Sequence, residues 1–424
     1  MSVSVTDWLA TRSWVFMTAG PEVGADAADN PCRISHNDSL VRISGHERNA
    51  PAVASVPNEV IGSAAKYSSR RHAATNQMRQ LPRNYDVSAV FKILASAILV
   101  IAIMLAMAWG GFALWFRLPG SGWVRAAAAA AFFTTGMVAI AGILMRRRQI
   151  AILTFGAVLG AVLLWWSTIR PLAVADWAPD VSRQVTGRQD GDTLVLTNVR
   201  NFEWRSDTDF TERWETRTYD LSKLRTLDLF MSYWAGPQMA HVILSFGFDG
   251  GDRLAWSIEV RRQQGGEYSP VADTFKTSPL VIIAADERDV VRVRSNVRHE
   301  DVQLYRLATP PTEARRLLEE YVEDANNLAG APQFYNSLTT NCTTAVVKMS
   351  RAAGADLPLD WRFIVNGYLP GYLYSRSVLD TELPFDEVKA LSHIDDRAQA
   401  AAVSAEFSRL IRVGVPSPRR AQPE

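Results

Sequence analysis

Hydrophobic positions are concentrated in three long stretches of the first half of the chain. Residues 91–116, 126–145 and 150–169 are almost wholly apolar, and each is about as long as a helix must be to cross a hydrocarbon core of ~30 Å. Trp165 and Trp166 close the third stretch, which is typical of the aromatic belt at a membrane surface. The pattern predicts three transmembrane helices within residues 85–170.

Arginines flank these stretches unevenly. Arg70, Arg71, Arg79 and Arg83 lie shortly before the first stretch, and residues 146–148 are all arginine, whereas the loop between the first and second stretches carries only Arg117 and Arg125. Because cytoplasmic loops are the ones enriched in basic residues, the amino terminus is predicted to be cytoplasmic. Three crossings then place residues 171–400 in the periplasm, which predicts a multi-pass protein of the bacterial inner membrane.

The two ends of the chain show no sustained hydrophobic period. Residues 1–84 are rich in Ser, Asn, Ala and Arg with scattered prolines, and they are predicted to be a disordered cytoplasmic segment. Met78 lies shortly before the first apolar stretch and is a candidate start of translation, so residues 1–77 need not be translated. Residues 401–424 end in a tail containing Pro and Arg that is also predicted to be disordered.

Residues 171–400 mix short β-type segments with helical ones, which predicts an α+β domain. A helix is expected to open at Pro310 and Pro311 and to end at Gly330. The predicted strands are 193–198, 227–234, 241–248, 254–260, 281–284, 289–293 and 303–307.

One predicted hairpin places a histidine and a carboxylate side by side. The turn signal at residues 249–252 separates two apolar strands. If Phe248 pairs with Asp252, the same register pairs His241 with Glu259, and directly opposite side chains share a face of the sheet. A slip of one residue would separate the two, so the contact depends on the turn assignment.

Cys342 is expected to begin a short helix that ends before Gly354, with Thr340 or Asn341 as its N-cap. The positive end of a helix favours thiolate over thiol. Backbone N–H groups of the first turn, around Asn341 and Thr343, are candidate donors to a developing oxyanion. A histidine within reach would complete a cysteine nucleophile.

Composition and the positions of the two cysteines limit the kinds of partner and site that the chain is expected to have. The 424-residue chain is 48% hydrophobic with a net charge of +1, which argues against nucleic acid as a partner. No zinc spacing, P-loop or dinucleotide fingerprint occurs, so neither metal nor cofactor is expected. Cys32 and Cys342 fall on opposite sides of the predicted membrane and cannot pair. An unpaired thiol in an oxidising compartment suits a nucleophile, although simple burial would also protect it.

Each candidate also has an ordinary structural explanation. A single cysteine in an apolar helix is usually a small core residue, and a single histidine on a strand usually makes a structural hydrogen bond. Glu259 alone would be a surface carboxylate. Together, however, a cysteine at a helix start and a histidine on a strand form the arrangement of papain-like enzymes.

Several blocks of sequence resemble, in order, the periplasmic domain of the Lnb lipoprotein transacylase family over residues 177–375. The blocks are WAPDVSR, TNVRNFEWRSDTDF, LRTLDLFMSYWAGPQMAHVILSFGF, WSIEVRR, ADERDVVRVRSN, VQLYRL and FYNSLTTNCTT. That family is similar to permuted papain-like and NlpC-type folds, in which the histidine strand precedes the cysteine helix. The resemblance implies a catalytic histidine at His241 and a catalytic cysteine at Cys342, while Glu259 as a third member follows from the hairpin register.

The resemblance further implies a membrane-bound acyltransferase that acts on a lipoprotein or phospholipid. It would move the sn-2 acyl chain of a diacylglyceryl lipoprotein onto the lipoprotein's own terminal amine, through a thioester on Cys342. The family's transacylases have a more extensive membrane part, so two alternatives stay open: a cysteine amidase or peptidase acting on cell-wall peptide, and a non-catalytic binding domain. Apolar surface around Cys342 would favour acyl transfer, an open polar groove the amidase, and a Cys342 far from His241 the binding domain.

Overall fold

The computed structural model describes residues 87–145, 147–379 and 381–419. The segment 1–84 that the sequence predicts to be disordered lies outside the described residues, together with Cys32 and Met78, as do residues 420–424.

Three apolar helices open the described chain: α1 (Val87–Arg117), α2 (Gly122–Leu144) and α3 (Arg148–Thr168). Within the described ranges, all three are long and apolar enough to cross a membrane, as predicted. Small residues allow the helices to approach closely, because a Cβ on Gly110 of α1 would come within 2.4 Å of Phe132 on α2. Most of their apolar side chains point away from this contact and are exposed, which suits a lipid environment.

The rest of the described chain is a mixed α and β domain built on an eight-stranded sheet, which confirms the α+β class. The strands of the sheet and of a small separate ladder are β1 (Thr186–Asp190), β2 (Thr193–Arg200), β3 (Glu203–Trp204), β4 (Phe210–Thr211), β5 (Trp214–Asp220), β6 (Leu224–Tyr233), β7 (Ala240–Phe248), β8 (Arg253–Val260), β9 (Leu280–Ala285) and β10 (Asp301–Leu307).

Neighbouring strands run in the order β1-β2-β9-β8-β7-β6-β10, with β5 paired to β2 and β3 paired only to β4. All pairs are antiparallel except β2 with β9. The centre of the sheet is therefore the meander from β6 to β9.

Helices cover both faces of this sheet. The remaining helices are α4 (Pro270–Asp273), α5 (Glu287–Val290), α6 (Pro311–Gly330), α7 (Cys342–Ala352), α8 (Leu369–Ser375), α9 (Phe385–Ser392), α10 (Asp395–Ala401) and α11 (Phe407–Leu410). Alternate residues of a strand face opposite ways. Accordingly, Leu244 and Trp256 pack with α6, α7 and α8 in one core, while Ile243 and Ala255 pack with α5, α10 and α11 in the other.

Two expectations from the sequence are wrong. Residues 289–293 are not a strand, because α5 is followed by a π-helical turn over Val293–Val297. The alternating apolar residues misled the prediction, since the segment is fixed by contacts from distant parts of the chain. Asp289 accepts hydrogen bonds from the buried Arg200 guanidinium at 2.9 Å and from the Trp204 indole at 2.7 Å.

The second correction concerns the carboxyl-terminal tail, which is folded as far as residue 419. Phe407 and Ile411 are buried against the sheet. The Arg412 guanidinium lies 2.8 Å from the Asp228 carboxylate and 2.5 Å from that of Glu287, and both carboxylates are fully buried. The tail therefore closes one face of the domain instead of being disordered.

The loop after β8 attaches the domain to the apolar helices. The Phe275 ring lies 5.6 Å from that of Phe112 and 5.7 Å from that of Phe116, both near the end of α1. Lys276 Nζ donates to the carbonyl of Trp166 at 2.9 Å and stands 4.7 Å above that indole ring. The ends of α1 and α3 thus meet the same short segment of the domain.

Candidate active site

The hairpin of β7 and β8 has the register expected from its turn. The structure pairs Ile243 with Ser257 and Gly247 with Arg253, and the Phe248 N–H donates to the Asp252 carbonyl at 3.0 Å. Gly250 and Gly251 adopt positive φ angles of 89° and 95°, which residues with a Cβ rarely adopt. Continued by two residues, this register brings His241 opposite Glu259.

The two side chains meet as predicted. His241 Nε2 lies 3.1 Å from Glu259 Oε1 and 2.7 Å from Ser257 Oγ, and the Ser257 hydroxyl donates to the same carboxylate oxygen at 2.7 Å. With Nε2 engaged in this way, the ring orientation is fixed and Nδ1 is left for another partner.

Arg294 holds the carboxylate from the other side. Its guanidinium lies 3.0 Å from Glu259 Oε1 and 3.2 Å from Glu300 Oε2, and its side chain is 8% exposed. Ser232 donates a further hydrogen bond to Glu300. Arg294 stands in the π-helical turn, just after the segment 289–293 that the sequence predicts as a strand, and its part in the site was not predicted.

Cys342 is the first residue of α7, with Asn341 as the N-cap. The Asn341 side chain accepts from the backbone N–H groups of Thr343 and Thr344 at 2.9 Å each, and the Thr344 hydroxyl accepts from the Asn341 N–H at 2.9 Å, which completes a capping box. Two of the N–H groups expected to bind an oxyanion are therefore already occupied. The Cys342 N–H has no acceptor within the helix, because it belongs to the first helical position.

The Cys342 thiol is buried and surrounded by hydrogen-bond donors. The His241 imidazole and the backbone N–H of Val242 lie close enough to lower the pKa of the thiol. Asn366 Nδ2 lies 3.9 Å from Sγ, and the Thr343 hydroxyl lies 4.0 Å from it. All five residues expected from the sequence, Cys342, His241, Glu259, Asn341 and Thr343, therefore lie in one place.

Electrostatics favour a charged pair at this site. Burial raises the pKa of Cys342, but the hydrogen bond and the charge of His241 outweigh it and leave the pKa lowered. Burial and the charge of Arg294 lower the pKa of His241, yet attraction to Glu259 and the hydrogen bonds to Cys342 and Glu259 raise it to about 9. Burial likewise opposes ionisation of Glu259, but His241 and Arg294 hold its pKa well below the ordinary value. The arrangement therefore keeps His241 protonated near neutral pH and shifts Cys342 toward the thiolate.

Asn366 is a site residue that the sequence did not reveal. Its amide exchanges two hydrogen bonds with the Ala240 backbone, at 2.6 and 2.9 Å, and donates to the Thr343 hydroxyl at 2.7 Å. It thereby ties the start of β7 to the first turn of α7. No local motif marks such a contact, because Asn366 and Ala240 are 126 residues apart.

The thiol and imidazole open into a pocket of about 250 Å³, called here the cysteine pocket. Its inner wall is polar and includes Glu259, Arg294 and Glu300. Its mouth carries four apolar side chains that are 37% to 57% exposed. These residues, called here the apolar rim, are Trp234, Met239, Tyr268 and Ile364.

One group of side chains elsewhere in the described chain has a spacing suited to a metal ion. Asp301, His393 and Asp395 bring their ligand atoms within 4.8 Å of one another. They are partly or fully exposed and lie outside the residues that line the cysteine pocket. His393 Nδ1 is 2.6 Å from the Asp301 carboxylate, an ordinary contact at the surface.

Comparison with known proteins gave one match. Residues 210–367 match the family model described as the Lnb N-terminal periplasmic domain. The matched region contains His241, Glu259, Cys342 and Asn366. No curated protein and no solved structure matches the chain.

Proposed function

Since residues 210–367 belong to the Lnb N-terminal periplasmic domain family, we propose that this membrane protein is a cysteine acyltransferase of the inner membrane. Its three apolar helices and its periplasmic domain make it a membrane-anchored periplasmic protein. The proposal adds a papain-like catalytic triad of Cys342, His241 and Glu259, and a lipoprotein or phospholipid as acyl donor.

The observation that carries the proposal is the apolar rim at the mouth of the cysteine pocket, close to the ends of the apolar helices. Tyr268 belongs to this rim, and Phe275, seven residues later, packs on α1. Tyr335 lines the pocket, and the neighbouring Phe334 ring faces Arg117 at the end of α1, 5.8 Å away. Exposed apolar surface of this kind marks contact with lipid or another apolar partner. A lipid ester at the membrane surface therefore suits the pocket better than a soluble peptide does.

The first chemical step would be acyl transfer to the enzyme. The Cys342 thiolate attacks the carbonyl carbon of the ester, which forms a C–S bond. As the C–O bond to glycerol breaks, the His241 imidazolium gives its proton to the leaving oxygen. The Cys342 N–H, which has no acceptor within the helix, is the candidate to stabilise the oxyanion.

The second step would release the acyl group to an amine. The neutral amine of the acceptor attacks the thioester carbonyl, an amide N–C bond forms and the C–S bond breaks. His241 takes the proton from the amine, which restores the thiolate and imidazolium. Glu259 would keep the imidazole oriented through both steps, with Ser257 and Arg294 fixing Glu259 in turn.

Incubation of the purified full-length protein with a diacylated lipoprotein tests this proposal. Wild type should convert the lipoprotein to an N-acylated lyso-form, which mass spectrometry detects as an acyl shift without a change in total mass. Cys342→Ser should remain unmodified or be trapped as an oxygen ester, because serine lacks a base strong enough to ionise it at this site.

A parallel incubation with muropeptides tests the amidase alternative. Cleavage of an amide in muropeptides, with lipoproteins left untouched, would replace acyl transfer by amide hydrolysis. That result would leave the roles of Cys342 and His241 intact. Turnover of neither substrate class by wild type, together with an unreactive Cys342, would instead support a binding domain.

A further inference from the structure

A second cavity of about 250 Å³ lies behind the cysteine pocket, between the sheet and the helices that cover it. It is called here the apolar cavity. One end is lined by Val242 and Thr343, the residues that follow His241 and Cys342 in the chain. The apolar cavity therefore begins at the residues that adjoin His241 and Cys342 in the chain.

The apolar cavity follows α7 along its length. Thr343, Val346, Val347, Ser350 and Ala353 all line it, and ten residues of helix correspond to about 15 Å. Its other walls come from the aliphatic residues of β6 and β7 and from α8, and they include Leu229, Leu244, Leu369 and Leu373. The result is a long, narrow and largely hydrocarbon-lined space.

Charged groups are almost absent from its lining. Glu313 is the one carboxylate among the described residues of the lining, and it is exposed. Tyr372 also lines the cavity, and its buried hydroxyl has no hydrogen-bond partner among the described residues. Such a space suits an apolar ligand, and an oxygen atom on that ligand could accept from Tyr372.

We propose that the apolar cavity holds the hydrocarbon chain of the acyl group while its carbonyl is attached to Cys342. This inference rests on the proposed acyl transfer, because it assigns the place of the transferred chain. Asn366 lines the cysteine pocket and its partner Thr343 lines the apolar cavity. The Asn366 side chain donates a 2.7 Å hydrogen bond to the Thr343 hydroxyl. An acyl chain attached at Cys342 would enter the cavity at this point, after that hydrogen bond breaks.

Two adjacent alanines give a matched test. Ala353 lines the cavity and is 8% exposed, whereas Ala352 is exposed and lies outside the lining. Ala353→Leu should exclude about two methylene groups of a long chain. Each buried methylene contributes about 0.8 kcal/mol, so the affinity for that chain should fall roughly tenfold. Ala352→Leu should leave the affinity unchanged.

The binding measurement is made in the full-length Cys342→Ala background, so that no acyl transfer occurs. The probe is a long-chain fatty acid with a diazirine at its methyl end, added to the protein in lipid nanodiscs. Photolysis should label peptides that contain residues of the cavity lining, such as Ser350 or Leu373. Competition by unlabelled fatty acids of different length reports the affinity. Ser350→Leu provides a second variant if Ala353→Leu fails to fold, and the same loss is expected.

The outcomes separate this inference from the proposed function. The cavity assignment is overturned if labelling is confined to α1, α2 and α3. It is also overturned if the correctly folded cavity variants bind fatty acid as tightly as Ala352→Leu does. Both conclusions hold even if wild type transfers acyl groups. Labelling of the cavity lining together with loss of affinity in the cavity variants, but without acyl transfer by wild type, overturns the proposed function and retains the cavity as a lipid-binding site.

Discussion

Replacement of Glu259 by glutamine should remove the charge that keeps His241 protonated near neutral pH. The Glu259 carboxylate lies 3.1 Å from His241 Nε2, and its attraction helps to raise the pKa of His241 to about 9. Glutamine keeps nearly the same shape and loses the charge. Burial and the charge of Arg294 both lower the pKa of His241. Without the charge of Glu259 to counteract them, this pKa should fall.

The expected size of the effect follows from these pKa values. With a pKa of about 9, His241 is almost fully protonated at about pH 7.5, and its charge is lost as the pH rises through 9. With a pKa that falls toward 6.5, roughly one molecule in ten keeps the imidazolium at the same pH. Because the thiolate of Cys342 depends on that charge, its reaction with iodoacetamide should slow by up to about tenfold. The rise of the alkylation rate with pH should also move to higher pH, because less imidazolium is present to lower the pKa of Cys342.

Alkylation of the purified full-length protein across a pH series provides the measurement. Mass spectrometry of the Cys342 peptide distinguishes it from the peptide that contains Cys32. Glu300→Gln is the matched control, since Glu300 also contacts Arg294, at 3.2 Å, but is not a partner of His241. The control should keep the pH profile of wild type.

A pH profile of Glu259→Gln that coincides with that of wild type, in a protein with an unchanged melting temperature, would refute this account of the site. It would mean that the charge on His241 does not depend on Glu259. Equal shifts in Glu259→Gln and Glu300→Gln would instead assign the effect to displacement of Arg294.

Three further predictions concern topology and stability. A reporter fused after residue 424 should be active only outside the cytoplasm, and activity only inside would contradict the predicted orientation. Arg412→Ala should destabilise the domain by about 3–5 kcal/mol, because the buried Glu287 carboxylate loses its ion-pair partner and the buried Asp228 carboxylate loses the nearest of its arginines. Arg409→Ala removes an exposed pair on the same segment and should leave the melting temperature nearly unchanged. Asn341→Ala should cost about 0.5–2 kcal/mol through loss of the N-cap and should slow alkylation of Cys342, whereas an unaltered rate would show that the cap does not position the thiol.

The sequence was informative where a local pattern determines geometry. Strand alternation together with the turn at residues 249–252 fixed one register, and that register alone brought His241 to Glu259. The helix start at Cys342 was equally local, because the Asn341 cap follows from its side-chain chemistry. Uninterrupted apolar length was sufficient for α1, α2 and α3.

Prediction failed where distant contacts outweigh the local pattern. The apolar alternation at residues 289–293 favoured a strand, yet Asp289 is held by Arg200 and Trp204, some 85 to 89 residues away. The tail after residue 401 shows no period, but Arg412 finds its partner Asp228 at a separation of 184 residues. Asn366 was missed for the same reason, since pairings of this kind are set by tertiary structure.

Phe275 and Lys276 attach the domain to the ends of α1 and α3, so that helices crossing a bilayer would hold the domain at one height above it. For the proposed reaction, this height would determine which bonds of a membrane lipid the Cys342 thiol can reach. Ester groups lie at one level of the interface, and a thiol held at that level meets them by lateral diffusion within the plane of the membrane. The relevant concentration of substrate is then its surface density among the other lipids, and added detergent should slow turnover by dilution within the surface without weakening the catalytic groups.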